Sequence, residues 1–488
     1  MESVVKQTAN KKNTEGMGDF SHSKGDQCYQ FIPFESLFAE PKKNGLTRPS
    51  KDRGIGYKMV NMGEIFAYDF IHDQDMERVL LSDREKDSYL LRKGDLLFAR
   101  QSLTVEGTGK STLVKNLSEE TTFESHLIRC RLDNTLASPL YFYYFFRSPY
   151  ARKRMSGLVS KVSAAGIKGS DLEKFPVPVV DLITQKQVAD VLHSFDKKIE
   201  LNRQLNDNLE AIAQALYDYW FVQFDFPDEN GKPYKSSGGK MVWNDKLKKE
   251  IPYGWAVAKI SDVCDINSQS YQAREAWVHV EYLDTSNLTD NVISELTYIN
   301  LKTESLPSRA KRKIQHLDIL FSSVRPNQRH LGLILNPSSR LLVSTGFVVL
   351  THRGDKTSPY MIYSIVKSEE VVQAMQKIGE LATSAYPSIR PEDLASVQFA
   401  TPQSDVNLLA SYDRAVAPLY QRMDNVKREI KRLSKQRDFL LPLLMNGQVQ
   451  VRPQGELNYR LSLIFKLPNK NKKTFIQRSI FPQKLMHY

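Results

Sequence analysis

Cysteine is nearly absent from this chain. Three occur in 488 residues, Cys28, Cys130 and Cys264, odd in number, far apart and outside metal-ligand spacing. That argues against a disulfide framework and points to a reducing compartment. No apolar run reaches about 18 residues and no signal peptide is recognisable, so a cytoplasmic location is expected. The signatures of common catalysts are missing as well: no HExxH, no paired CxxC and no GxSxG. GTGKST, Gly107–Thr112, imitates a phosphate loop but has Thr104 where the pattern needs glycine. NPSS, Asn336–Ser339, lacks the aromatic residue of an amino-methyltransferase pocket, and Glu429-Ile430-Lys431, a nuclease half-site in miniature, falls in a helical stretch. The chain is expected to hold no catalytic centre, no cofactor and no metal.

Positive charge is present, but unevenly. The net charge is +12, which invites a nucleic-acid reading. Half of it lies in 453–488, with seven basic residues and one acidic. Residues 28–180 carry 23 basic and 19 acidic groups, and residues 252–402 carry 15 of each. Bulk charge therefore does not establish DNA binding, and local patches must.

The chain also says nearly the same thing twice. GDLLFAR, ending at Arg100, returns as LDILFSS, and their aspartates, Asp95 and Asp318, lie 223 positions apart. Ser138-Pro139-Leu140-Tyr141 matches Ser358-Pro359-Tyr360-Met361 at an offset of 220, and Asp171-Leu172 matches Asp393-Leu394 at 222. So long a period is no solenoid; it means two copies of one domain. Alternating apolar residues predict strands at Asp95–Ala99, His126–Leu132, Asp318–Ser322 and Leu342–Leu350, and helices at Tyr141–Gly157 and Tyr360–Ile378. Each copy reads as mixed α+β.

A long amphipathic helix follows each copy. From Gln185 to Phe221 there is neither Pro nor Gly, and Val188, Leu192, Phe195, Ile199, Leu205, Leu209, Ile212, Leu216 and Trp220 mark one face. Val416, Leu419, Met423, Val426, Ile430, Leu433 and Leu440 repeat in coiled-coil rhythm. A helix of about 37 residues is about 55 Å long and cannot bury such a stripe alone. Residues 185–222 hold four basic and six acidic groups, and 413–437 hold eight basic and three acidic, so the two are expected to pair with each other. Antiparallel pairing would give a pseudo-twofold rod with a globule at each end, suited to duplex DNA with its repeat of about 34 Å per turn.

The run NRQLNDNLEAIAQALYDYWFVQFDFP, Asn202–Pro227, with the following NGKPYKSSGGKMVWND and IPYGWAVAKISDV, resembles the specificity subunit of type I restriction–modification systems, over roughly residues 30–450. The resemblance implies an α+β fold with two target recognition domains, each reading half of a split double-stranded DNA sequence, and two long helices forming an antiparallel coiled coil that sets the spacer. Its implied layout is a flexible extension at 1–27, recognition domains at 28–180 and 255–402, spacer helices at 181–226 and 403–447, a connector at 227–254 and a basic tail at 448–488. The tail reads either as an accidental extension or as a contact to DNA backbone. The resemblance further implies two methyltransferase subunits and motor-endonuclease (restriction) subunits as partners, supplying S-adenosylmethionine, ATP and Mg chemistry. The competing readings are a fused restriction–modification enzyme and a stand-alone architectural or regulatory DNA-binding protein.

Base reading needs Arg, Lys, Asn and Gln on ordered surfaces, and backbone positioning needs Lys, Arg and Ser. In the first half the candidates are Lys42, Lys43, Asn44, Arg48, Lys51, Arg53 and Lys58 in a Gly/Pro-rich stretch, then Arg100, Gln101, Ser102 and Lys110, then Lys161 and Lys168. In the second half they are Arg309, Lys311, Arg312 and Lys313, then Arg325, Asn327, Gln328 and Arg329, then Ser384, Tyr386 and Arg390. Candidates for binding the methyltransferase partner are Leu216, Tyr217, Tyr219, Trp220 and Phe221 near one helix end, and Phe439, Leu440 and Leu444 near the other.

Overall fold

The two repeated aspartate strands are the central strands of two matching sheets. The computed structural model describes residues 30–159, 165–354, 356–381, 387–403, 406–449 and 451. The expected extension at 1–27 and the tail beyond 451 lie outside them. The described residues fall into two compact units: the second is Lys198–Arg432, and the first holds the residues before and after it.

In the first unit, Leu96–Ala99, buried at all four positions, lies between Leu127–Leu132 and Ser111–Val114, and Phe38–Asn44 pairs the far edge of Leu127–Leu132. In the second, Ile319–Ser322 lies between Phe347–His352 and Leu331–Leu333, and Cys264–Ile266 pairs the far edge of Phe347–His352. A parallel pair repeats in the same register. Lys58, Met59 and Val60 face Thr121, Thr122 and Phe123, just as Glu281, Tyr282 and Leu283 face Leu341, Leu342 and Val343. Each copy closes by pairing its first strand with its last, Phe31–Pro33 with Pro176–Pro178 and Trp255–Lys259 with Gln398–Pro402. The duplication read in the sequence is thus a duplication of hydrogen-bond pattern.

Several boundaries differ from the sequence reading. Leu342–Leu350 is not one strand but two, Leu341–Ser344 and Phe347–His352, in different sheets. The turn between them is held by Thr345 N–H donating to Arg309 O at 2.8 Å and Gly346 N–H donating to Ser344 Oγ at 3.2 Å. A Cβ at Gly346 would stand 2.9 Å from Thr285 Cγ2, so only glycine fits without displacement. Each expected helix is also broken once: Pro139–Arg147 and Pro149–Leu158 meet at Ser148, and Pro359–Lys367 and Glu369–Glu380 meet at Ser368. At each break the serine is extended, and its Oγ accepts the N–H three residues on, from Ala151 and from Val371, both at 3.3 Å. Ser148→Ala and Ser368→Ala should each cost about 1 kcal/mol, seen as faster hydrogen exchange confined to the helix that follows.

The first helix of each pair is buried on all sides. Tyr141–Phe146, six aromatics in a row, pack around Phe34, Phe98 and Phe175, while Tyr360–Val366 fill the corresponding place in the second unit.

The long helices run Leu182–Tyr217, followed by a π-type turn at Asp218–Val222, and Val406–Met445. They pack together in antiparallel sense. Within the second unit, Trp220 and Phe221 meet Tyr412, with ring centroids 5.6 and 4.8 Å apart, while the earlier Glu210 acts on the later Lys427. Within the first unit, Leu440, Leu444 and Met445 join Val188, Val191 and Leu192 in the core. Charge does little of the pairing: among the described residues the one ion pair between the helices is Arg437–Asp196, at 2.7 Å. Other cations of the second helix pair along it, Arg428 with Asp424 and Arg432 with Glu429. Apolar and aromatic burial holds the seam.

Candidate nucleic-acid interface

Both units build the same junction where the central strand runs out. In the first, Ile167 N–H donates to Arg100 O at 2.9 Å, and Gln101 and Ser102 pair with Gly166 and Ala165. In the second, Ile389 N–H donates to Ser323 O at 2.8 Å, and Val324 bridges Ser388. The next residue is a cation in both, Lys168 and Arg390, each with extended backbone at the start of a short helix, Gly169–Glu173 or Pro391–Ala395. Lys168 is exposed, and the Arg390 side chain is 80% exposed, with Asp393 at 3.3 Å. Lys161, Ser384 and Tyr386 lie outside the described residues. The structure therefore brings Arg100, Gln101, Ser102 and Lys168 together, and in the second unit it pairs Arg325 with Pro387, three residues before Arg390, through Arg325 N–H donating to Pro387 O at 2.9 Å.

The Gly/Pro-rich stretch is more ordered than its composition suggested. Phe38–Asn44 and Arg53–Val60 are strands. Arg48 reaches Glu85 at 2.7 Å and Leu80 O at 3.1 Å, Arg53 reaches Glu77 at 2.8 Å, and Lys58, only 8% exposed, reaches Glu119 at 3.1 Å. Lys42 lies 3.6 Å from Glu173, and Lys43 sits 4.4 Å above the Tyr89 ring. The Glu85 carboxyl is held down to about 2 by the Ser82 backbone N–H, then by Arg48 and the Ser82 hydroxyl. Lys51 and Asn44 are exposed. Lys110, the lysine of the false phosphate loop, donates to Phe66 O at 2.9 Å, and burial lowers its pKa.

In the second unit, Arg329 is tied to Asp290 at 2.6 Å, Glu369 at 3.3 Å and Lys367 O at 3.1 Å. Gln328 lies 3.2 Å from His330, and Asn327 is exposed. Arg309 and Lys311 are exposed, Arg312 is half-buried, and Lys313 pairs with Glu275 at 2.8 Å. Sequence reasoning missed Trp277 and Arg340, which stack beside this strand with Arg340 Cζ 4.9 Å from the ring centre. No sequence signal joins residues 63 positions apart.

Of the helix-end residues, Trp220, Phe221, Leu440 and Leu444 are core, Leu216 and Tyr217 are half-buried, and Tyr219 and Phe439 are exposed. Val222, not singled out in the sequence, and Ile212, expected on the apolar stripe of its helix, are both exposed near them in the chain. Among the described residues no group of three or more His, Cys, Asp or Glu could hold a metal ion, and no helix is long and apolar enough to cross a membrane.

Comparison with known proteins places this geometry. Residues 41–211 match the family model for the type I restriction modification DNA specificity domain. The MjaIX specificity subunit of Methanocaldococcus jannaschii is 26% identical over 322 residues, covering 64% of this chain and 69% of that one. The HindI specificity subunit of Haemophilus influenzae is 20% identical over 442 residues, covering 80% and 94%. The EcoKI specificity subunit of Escherichia coli K12 is 28% identical over 219 residues, covering 43% and 45%. In fold, the crystal structure of a type I restriction–modification S subunit from M. genitalium matches with a TM-score of 0.51 at 15% identity, over 86% of this chain and 96% of that one. Residues 41–211 thus fit the type I restriction modification DNA specificity domain, and the chain as a whole is similar to specificity subunits of type I restriction enzymes.

Proposed function

We propose that this subunit recognises a split double-stranded DNA sequence, one half read by each globule, and carries two methyltransferase subunits and the restriction subunits that act on the bound DNA. The observation that carries this is the repeated junction: two globules of one strand register, each placing a cation, Lys168 or Arg390, at the same point of the pattern. Duplicating a domain while varying its loops suits two half-sites of different sequence. Methyl transfer belongs to the partner, since adenine must leave the helix to react and needs an enclosing pocket. S-adenosylmethionine, ATP and Mg are bound by the partner subunits, and this chain is not itself an enzyme. Ile212, Tyr219 and Val222 in the second unit, and separately Phe439 in the first, leave apolar side chains exposed for docking near the helix ends.

Co-expression with the methyltransferase subunit, followed by single-molecule mapping of methylated adenines, tests the reading. A split motif with a fixed spacer is expected. A palindrome, or methyl transfer by the purified chain alone, would overturn it.

A further inference from the structure

The second globule is neutral by count, with 15 basic and 15 acidic residues over 252–402, yet its cations are not evenly paired. The strand Ala310–Lys313 reads Ala-Lys-Arg-Lys and runs antiparallel to Leu341–Ser344, with a bulge between Ala310 and Arg312. Residues 269–271 line its other edge: Lys313 N–H donates to Gln269 O at 3.1 Å, and Tyr271 N–H donates to Lys311 O at 2.7 Å. That crossing brings Trp277 over the strand. Its ring lies 4.8 Å from the Tyr271 ring, with Arg340 at 4.9 Å and Lys313 at 5.5 Å from its centre. Among the described residues the only ion pair here is Lys313–Glu275, at 2.8 Å. Arg309, Lys311, Arg312 and Arg340 have no carboxylate partner among them. Arg312 Nη1 is shut from solvent without a hydrogen-bond partner. A half-buried guanidinium with no counter-ion is unfavourable unless something anionic comes to it.

The first globule lacks this arrangement. There Leu91 N–H donates to Thr121 O, so Ser88–Leu91, which has no Lys or Arg, occupies the corresponding edge. Neighbouring arginines in that globule are neutralised instead, Arg129 and Arg131 by Glu40, and Arg131 also by Asp95.

We propose that the strand Ala310–Lys313, with Arg340 braced on Trp277, is where the second globule grips the phosphodiester backbone of duplex DNA. Trp277 is contacted by Arg340, Lys313 and Tyr271, so it orients cations. Backbone contacts position the protein without choosing sequence; this surface sets affinity and register, and loops elsewhere set the bases. The inference rests on the reading of the chain as a DNA-recognition subunit.

The test uses the full chain in complex with its methyltransferase subunit and a duplex bearing the methylated motif, with binding measured against salt. Each phosphate contact removed should flatten the logarithmic salt dependence by about 0.9 and weaken binding about 5-fold near 0.15 M salt. Arg309→Gln/Lys311→Gln/Arg340→Gln is therefore expected to lose nearly three units of slope and roughly 100-fold in affinity, with the methylated motif unchanged. Arg309 and Lys311 are exposed, so the Arg309→Gln/Lys311→Gln pair gives the same readout without disturbing the fold. Unchanged slope and affinity would overturn the proposal while a split motif in the parent left the recognition function standing. So would loss of methyltransferase binding with DNA affinity intact, which would assign the surface to protein. Failure of the recognition function would show separately, as no split motif in the parent complex.

Discussion

Asp95→Asn is expected to cost the first unit about 3 kcal/mol, and Asp318→Asn, the same change at the same point of the repeat, less than about 1 kcal/mol. Both carboxylates are buried, at 1% and 2% exposure, and both accept the N–H three residues back, Arg92 at 2.7 Å and Gln315 at 2.8 Å. Their second partners differ. Asp95 takes a fork from Arg131, at 2.7 and 2.8 Å; the position 220 further on is Thr351, whose hydroxyl donates to Asp318 at 2.8 Å. Replacing Asp95 strips a half-buried guanidinium of its better-buried counter-ion and leaves it only the half-exposed Glu40. Breaking a buried pair from one side costs about 3–5 kcal/mol, and Glu40 keeps the loss at the lower end.

Asp318 has no cation to lose. Burial pushes its carboxyl above the usual carboxylate range, against the pull of the Gln315 N–H and the Thr351 hydroxyl. The folded unit thus favours the protonated acid, so its contribution is fullest at low pH and is lost as pH rises through the raised pKa. The Asp318→Asn substitution would remove that dependence. Hydrogen exchange at Leu96–Ala99 and at Ile319–Ser322 reads the two units separately. Tryptophan fluorescence would follow only the second, since Trp220, Trp243, Trp255 and Trp277 all lie within Lys198–Arg432. Equal losses at the two aspartates would refute this account of the divergence.

That pair also marks what could be read from the sequence. The repeat was legible because its apolar strands and serine caps, Ser138 and Ser358, recur at nearly constant offset, and buried strands leave little freedom to drift. The long helices were legible because a 3.6-residue stripe free of Pro and Gly has few other outcomes. Which basic residues are free was not legible. Arg48, Arg53 and Lys58 looked like a solvated cluster, and their partners Glu85, Glu77 and Glu119 stand 24 to 61 positions away, where no local pattern reports them. The more basic first globule has many of its cations paired, and the neutral second one keeps an unpaired group. Leu440 and Leu444 looked like a helix end facing a partner, but they complete the first unit's core beside residues some 250 positions earlier. Pairing and burial across such distances depend on topology, which composition does not carry.

Lys168→Gln and Arg390→Gln should each weaken binding of the split duplex about 5-fold near 0.15 M salt, and the charge reversals Lys168→Glu and Arg390→Glu by more, on the order of 10- to 100-fold. Both side chains are exposed, so the stability of either unit should move by less than about 0.5 kcal/mol. Arg390 loses its contact with Asp393, at 3.3 Å and i,i+3 on the surface, which is worth little. The decisive comparison is the double variant, measured in complex with the methyltransferase subunit. If both globules hold one duplex at the same time, losses from residues in different units add in free energy, and Lys168→Glu/Arg390→Glu falls by about 100- to 10,000-fold. If one globule binds and the other is idle, one single variant is silent and the double matches the other single. If the two globules compete for DNA one at a time, each single variant loses less than twofold and only the double loses fully. The salt dependence should flatten by about 0.9 for each glutamine variant. A loss that ignores salt would move these two residues from backbone contact to a structural role, and the symmetric junction would then owe its cations to the fold and not to DNA.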